Sequence, residues 1–156
     1  EGGIRVPFII RWSGVAKAGH VSDVPVISMD LYPTCLTAAG LPPHPAQHRD
    51  GLDLLPLVNG SGTLKRDALH WHYPHYNQHP QSAPHSVIRE GSWKLMEFLE
   101  TGKIELYDLA NDLGESKDLS QSKPALTKRL LDRLHAWKKE VRAEPMLPNP
   151  LVQGSK

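Results

Sequence analysis

Hydrophobic residues near the start of the chain form one short run. Residues 4–10 are mostly apolar and rich in β-branched side chains, and Ser13 and Gly14 close the run. A run of this length and composition is typical of a strand covered on both faces, as in a parallel sheet. We therefore predict an interior strand over residues 4–12.

A helical pattern follows this run. Apolar and small residues between 31 and 38 recur at the spacing of one helix face, Ser28 is the predicted N-cap, and Gly40 supplies the C-terminal signal. A strand followed by such a helix is typical of the end of an α/β domain. We assign residues 1–62 to that domain end together with a connector rich in Pro, Gly and Asp.

The remaining residues, 63–156, have the pattern of an α+β subdomain. Four segments are predicted strands because they alternate or are bounded by turn residues: 69–73, 86–90, 93–99 and 104–109. From Pro124 onward, apolar residues recur every three to four positions, which predicts an amphipathic helix. We expect a small antiparallel sheet with a terminal helix.

Composition excludes several classes of partner. The chain has 18 basic and 17 acidic side chains, so its charge gives no reason to expect nucleic acid as a partner. No apolar run approaches the length of about 20 residues that a membrane-spanning helix needs, and no membrane partner is expected. Cys35 is the single cysteine, which excludes an internal disulfide.

The first residues suggest a piece of a larger protein. A predicted core strand begins almost at residue 1, without an initiator Met, a signal peptide or a capping segment. We interpret the chain as a fragment. In that case the strand over residues 4–12 would expose unpaired backbone groups, and possible outcomes are self-association, disorder or coverage by another chain.

Five segments resemble, in order, the C-terminal part of the formylglycine-dependent type I sulfatases. In the family, these segments are the one just after the sulfate-contacting lysine, the next helix, and three patterns: D-G-x-S-L-x-P-L-L-x-G, R-x-G-x-W-K-L and E-L-Y-D-L-x-x-D-x-x-E. The matching segments are 1–14, 30–42, 50–60 (with Asp53 where the family has Ser), 89–95 and 105–115. Together they span nearly the whole chain, and their order makes the resemblance specific.

The resemblance implies a fold and a division of labour. The fold would be the last strand and helix of an alkaline-phosphatase-like α/β domain, then a four-stranded antiparallel sheet packed on a C-terminal helix. Calcium and the formylglycine would belong to an N-terminal catalytic part upstream of Glu1, and the compartment would be periplasmic or extracellular. Cys35 lacks the Pro and Arg of the formylglycine motif, so no cofactor is expected in this chain, and the isolated polypeptide is predicted to be inactive.

Residues 70–79 form the densest group of chemically active side chains. With the resemblance, we predict that part of this segment forms a wall of the substrate pocket for a sulfated small molecule or glycan. Two other interpretations stay open: a zinc or copper site built on the His-x-His pair, and a polar strand edge whose histidines bond to neighbouring backbone groups. The predicted substrate-binding residues are His70, His72, His75, Tyr76 and Asn77.

A second predicted site lies at the start of the chain. Glu1, Gly2 and Gly3 are expected to border the sulfate site, because the family's sulfate-contacting lysine would lie just upstream. No residue of the chain is predicted to be catalytic or to bind a metal. Arg89 and Lys94 are expected to be solvated or paired with Glu90 or Glu105.

Two functions other than a sulfatase fragment remain open. One is a phosphoryl or phosphonate hydrolase of the same superfamily, which would need a Thr or Ser nucleophile and two zinc ions upstream. The other is a non-catalytic module that binds a glycan or a protein through the histidine-rich segment.

Overall fold

The structure is a computed structural model that describes residues 1–76 and 82–147. The chain divides into two compact units, Gly2–Arg66 and a unit that runs from Asp67 onward and includes Glu1. The predicted division between residues 62 and 63 stays a prediction. No helix in the described part of the chain is long and apolar enough to cross a membrane.

The strand predicted over residues 4–12 is not formed in the first unit. This segment has no strand, and its apolar side chains are exposed, with Val6 at 70% and Ile9 at 89%. A strand needs a hydrogen-bonded neighbour, and no strand of the described residues pairs with this segment. The expectation of a strand end to the α/β domain is therefore wrong here.

Helices make up the regular structure of the first unit. A 3₁₀ turn over Ser28–Asp30 leads into α1 (Leu31–Ala38), and α2 spans Leu55–Val58. Gly40, with a φ of 68°, follows α1 as predicted. Ser28 is not the cap: the Asp30 side chain instead accepts a hydrogen bond from the backbone N–H of Ile27 at 2.9 Å.

The carboxylate of Asp30 organises this unit. Asp30 is fully buried, and its oxygens accept hydrogen bonds from the N–H of Leu52 at 2.8 Å and from both terminal nitrogens of Arg66. Its carbonyl accepts the Thr34 hydroxyl at 2.6 Å, and Thr34 Oγ1 in turn accepts the N–H of Leu54 at 2.9 Å. One buried charge thus ties α1 to the connector that follows it.

A sheet of four antiparallel strands forms the second unit, in the order β1-β2-β3-β4. The strands are β1 (Leu69–Tyr73), β2 (His85–Glu90), β3 (Trp93–Phe98) and β4 (Ile104–Asp108), and α3 spans Pro124–Glu140. The antiparallel sheet and its terminal helix are therefore confirmed. Each predicted element matches to within about one or two residues.

One face of the sheet packs against α3. The core of this contact contains Ile88, Leu95 and Leu106 from the sheet and Leu130 and Leu134 from the helix, all fully buried. Because side chains alternate along a strand, the residues next to Ile88 point to the other face. Ion pairs flank the core, and hydrogen bonds from two α3 arginines, led by Arg129, hold the pKa of Glu90 below its ordinary value.

A buried lysine lies on the other face of the sheet. Lys94 is 3% exposed, and its Nζ lies 2.6 Å from Glu115 Oε1 and 3.1 Å from Glu1 Oε1. Arg89, opposite Lys94 in the register, lies 3.7 Å from Glu1 Oε2. The expectation that Lys94 is solvated or paired with Glu90 or Glu105 is wrong, because those carboxylates are held by other cations, Glu90 by α3 arginines and Glu105 by Lys103.

The Glu115 backbone is unusual, and its side chain belongs to this ion pair. Its φ is 55°, in the left-handed region that favours glycine, so the conformation is costly by itself. Burial acts to raise the pKa of Glu115, but a hydrogen bond from Lys94 opposes it, and the pKa lies below its ordinary value. The side chain of this left-handed residue thus lies in the buried ion pair.

Replacing Arg66 with Met should destabilise the first unit. The substitution leaves the Asp30 carboxylate buried without its cation, and we expect the free energy of unfolding to fall by about 3 kcal/mol. Urea unfolding followed by tryptophan fluorescence measures the change. Lys65→Met, at the exposed neighbouring position, is the control and should change it by less than about 0.5 kcal/mol. Equal effects of the two substitutions would contradict the assigned role of Asp30.

Lys94→Met should destabilise the second unit by a similar amount, about 3 kcal/mol, because two largely buried carboxylates lose their shared cation. The matched control is Lys103→Met, which removes an ion pair whose lysine side chain is 62% exposed and should leave the unfolding midpoint close to that of the unsubstituted chain. Circular dichroism during thermal unfolding compares the two variants. Identical midpoints would show that the buried pair does not stabilise the fold.

Candidate functional site

The histidine-rich segment lies at one edge of the sheet. Strand β1 pairs only with β2, so its other side has no strand neighbour among the described residues. Its alternation divides the side chains between the two faces: His70 and His72 on the α3 side, Trp71 and Tyr73 on the other. The two predicted substrate-binding residues of β1, His70 and His72, therefore share the face that packs against α3.

The two histidines on the α3 side make contacts with the helix end. The His70 ring stacks on Trp137, with centroids 4.7 Å apart and planes 9° from parallel. His72 contacts Ser86 Oγ through Nδ1 at 2.8 Å and the Glu144 carbonyl through Nε2 at 2.7 Å. Because a carbonyl only accepts, Nε2 of His72 donates the hydrogen. Both histidines thus help to hold β1 against α3 and the segment after it.

A ring cluster lies on the opposite face, at the end of β1. We define it by three residues: Tyr73, His75 and His85. The Tyr73 ring meets His75 edge-on at 5.7 Å and 85°, and it lies 6.3 Å from His85, its partner in the strand register. His75 is exposed and Tyr73 is 38% exposed, so this cluster is accessible to a ligand.

Sequence reasoning missed His85, because the strand was predicted to begin at Ser86. The signal that could have found it is alternation: His85 lies two positions before the buried Val87 and thus shares its face. Pairing it with Tyr73 required the β1–β2 register, which the connection between the strands does not reveal. Through its contact with Tyr73, His85 links the predicted histidine segment to the second strand.

Tyr76 extends the accessible surface beyond β1. Its side chain is 61% exposed, and a side-chain hydrogen bond with Glu100, in the β3–β4 turn, raises the pKa of the Tyr76 hydroxyl. Because a carboxylate only accepts, the Tyr76 hydroxyl is the donor. Asn77, also predicted to bind substrate, lies outside the described residues.

The residues at the start of the chain are held differently from one another. The Glu1 side chain is 7% exposed and carries the contacts to Lys94 and Arg89. Gly2 and Gly3 are exposed in a turn, and a Cβ at either position would meet open space. A boundary role at a sulfate site stays a prediction for all three.

The described residues do not fit the implied metal or formylglycine. Over residues 1–76 and 82–147, no three His, Cys, Asp or Glu side chains are grouped to hold a metal ion. Cys35 is exposed on α1, within Cys-Leu-Thr-Ala-Ala. What the ring cluster and Tyr76 offer is hydrogen bonding and aromatic stacking, which bind and orient a ligand.

Comparison with known proteins identifies relatives along most of the chain. The family described as N-sulphoglucosamine sulphohydrolase, C-terminal, matches residues 1–142. A sulfatase from Formosa agariphila is 32% identical over 151 residues, covering 88% of this chain and 27% of the relative. Homo sapiens steryl-sulfatase is 42% identical over 73 residues, covering 47% of this chain and 12% of the relative.

Solved structures share the fold. BT4656, in complex with its substrate D-glucosamine-2-N,6-O-disulfate, has a TM-score of 0.75 at 26% identity and covers 90% of this chain and 30% of its own. The phosphonate monoester hydrolase SpPMH from Silicibacter pomeroyi has a TM-score of 0.62 at 23% identity, with coverages of 80% and 27%. That second likeness shows the fold alone.

This chain spans less than a third of the length of each of these relatives. The family match extends over both units and includes the sheet, its terminal helix and the segment that begins at Glu1. The chain belongs to the family of N-sulphoglucosamine sulphohydrolase C-terminal domains and is the C-terminal portion of a sulfatase of the alkaline-phosphatase-like superfamily.

Proposed function

We propose that this chain forms the scaffold and one wall of the substrate pocket in a sulfuric-ester hydrolase that acts on a sulfated carbohydrate. The observation that carries the proposal is the accessible cluster of Tyr73, His75 and His85 on the sheet face away from α3. Aromatic faces beside hydrogen-bonding groups suit a sugar, whose ring carries both C–H faces and hydroxyls. The substrate in the BT4656 complex, a disulfated glucosamine, supports this class of ligand.

The reactive groups belong, in this proposal, to an N-terminal catalytic part. That part would supply a formylglycine as nucleophile and a calcium ion that stabilises charge on the sulfate. The residues of this chain bind and orient the sugar instead. We place the protein in a periplasmic or extracellular compartment, as the family resemblance implies.

The predicted site residues take two roles. His75 and Tyr76 are exposed and would contact the sugar directly, with Asn77 next to them in sequence. His70 and His72 would act by positioning, since their contacts with Trp137, Ser86 and Glu144 fix β1, the strand that ends just before His75. Glu1, Gly2 and Gly3 would border the sulfate site, with the Glu1 carboxylate held by Lys94 and Arg89.

The assay that tests this function compares substrates and chain lengths. We expect the full-length protein to hydrolyse a sulfated glucosamine and a polypeptide of residues 1–156 to show no turnover, because binding groups without a nucleophile do not catalyse the reaction. Phosphonate monoester and phosphate monoester substrates are run in parallel. Faster turnover of either would favour the alternative hydrolase. Turnover by residues 1–156 alone would overturn the division of labour. Binding of a glycan by the full-length protein, without turnover of any of these substrates, would favour the non-catalytic module.

His75→Ala in the full-length protein tests the pocket wall. Loss of one hydrogen bond made in both the ground state and the transition state should raise KM about fivefold and leave kcat within about twofold. Steady-state kinetics on the sulfated sugar measure both constants. His135→Ala is the control, since His135 is an exposed histidine on α3 that pairs with Glu97. An unchanged KM in His75→Ala would remove His75 from the substrate wall.

A further inference from the structure

His85 is held in a defined orientation at the edge of the ring cluster. It is the first residue of β2, partly buried, and its side chain lies on the face away from α3. Nδ1 of its ring lies 2.7 Å from the carbonyl oxygen of Ala83, two residues earlier in the chain. This local contact limits rotation of the ring without covering it.

The contact with Ala83 also decides which nitrogen carries hydrogen. A carbonyl oxygen can only accept, so Nδ1 of His85 must be the donor. In the neutral ring, Nε2 then carries the lone pair and is an acceptor. Within residues 1–76 and 82–147, the hydrogen bond of this ring is the one that joins Nδ1 to the Ala83 carbonyl.

The surroundings of His85 favour a sugar over a metal ion. Tyr73 lies directly across the strand pair, its ring tilted by 48° to that of His85, and the His75 ring makes a T-shaped contact with Tyr73. A metal site would need further ligands, and no group of three suitable side chains exists in the described part of the chain. A fixed acceptor beside an aromatic face instead matches a sugar, which stacks its C–H face and donates a hydroxyl.

We infer that His85 determines specificity in the proposed sulfatase, with Nε2 accepting a hydrogen bond from a hydroxyl of the sulfated sugar. This inference rests on the proposed function and adds a residue to it. His85 acts in binding and takes no part in bond cleavage. In the neutral ring, the Nδ1–H that is anchored on Ala83 leaves Nε2 as an acceptor, and this form favours a hydroxyl donor over a bare sulfate oxygen, which can only accept.

Three substitutions at this one position separate the functions of the two ring nitrogens. In the full-length protein, His85→Phe keeps a ring and loses both nitrogens. His85→Asn keeps an amide near Nδ1, where it can still donate to Ala83, and loses the group at Nε2. His85→Gln places an amide, whose oxygen accepts, near the position of Nε2. Thermal unfolding confirms that each variant is folded before kinetics are measured.

We expect His85→Phe and His85→Asn to raise KM for the sulfated glucosamine about fivefold to tenfold and to leave kcat within about twofold. His85→Gln should restore KM to within about threefold of the unsubstituted protein. A purely structural role for the Ala83 contact predicts the opposite order, with His85→Asn best tolerated. His135→Phe, on α3, is the matched control and should leave both constants unchanged.

The outcomes distinguish this inference from the proposed function. If the unsubstituted protein hydrolyses no sulfated sugar, the proposed function fails and this inference fails with it. If it does hydrolyse such a sugar, and His85→Phe leaves KM within twofold or His85→Asn outperforms His85→Gln, only the role of His85 is overturned. A deoxy analogue that lacks one sugar hydroxyl and binds equally well to the unsubstituted protein and His85→Phe would identify that hydroxyl as the partner.

Discussion

Packing of α3 against one face of the sheet decides which side chains a ligand can reach. The leucines of α3 cover Ile88, Leu95 and Leu106, and strand alternation then sends every second residue of β1 and β2 to the other face. Two histidines of the predicted site lie on the helix side as a result. Tyr73 and His85 lie opposite them. The position of the hydrophobic core thus determines which face of the sheet carries the candidate binding surface.

Buried ion pairs determine the positions of segments that the hydrophobic contacts do not hold in place. An ion pair in a protein interior adds little net stability over an apolar pair, but a buried carboxylate without its cation is strongly unfavourable. Asp30 therefore requires Arg66, and Glu1 and Glu115 require Lys94. Each pair joins segments far apart in sequence, so arrangements that separate them are excluded. One of these carboxylates, Glu115, lies at a left-handed backbone position.

The sequence predicted the second unit well because its signals are local. Alternation in β1, the Gly91 turn between β2 and β3, and the period of α3 each depend on neighbouring residues. The strand over residues 4–12 failed because an apolar run becomes a strand only beside another strand, and periodicity does not reveal that partner. Lys94 was misassigned for a related reason, since its carboxylates lie at positions 1 and 115.

The candidate site was only partly predictable. Composition located the histidine-rich segment, and its position next to a turn pointed to exposed side chains at His75 and Tyr76. Alternation predicts that His70 and His72 lie on the face opposite Tyr73. Which of the two faces is covered depends on the position of α3. His85 entered the site through the register of β1 with β2. Register is a tertiary property, so a residue-by-residue reading of the chain does not supply it.

The distribution of charge in the second unit supports a separation between recognition and chemistry. Several of its cations form ion pairs with carboxylates: Lys94 with Glu1 and Glu115, Arg129 and Arg133 with Glu90, and Lys138 with Glu97. A cation that is paired with a carboxylate attracts a sulfate less strongly than an unpaired cation does. The ring cluster presents imidazole nitrogens, a phenol hydroxyl and aromatic faces instead. Such groups discriminate sugars by the placement of hydroxyls, and in the proposed enzyme the charge that develops on a sulfate during cleavage would be stabilised by cations of the N-terminal part.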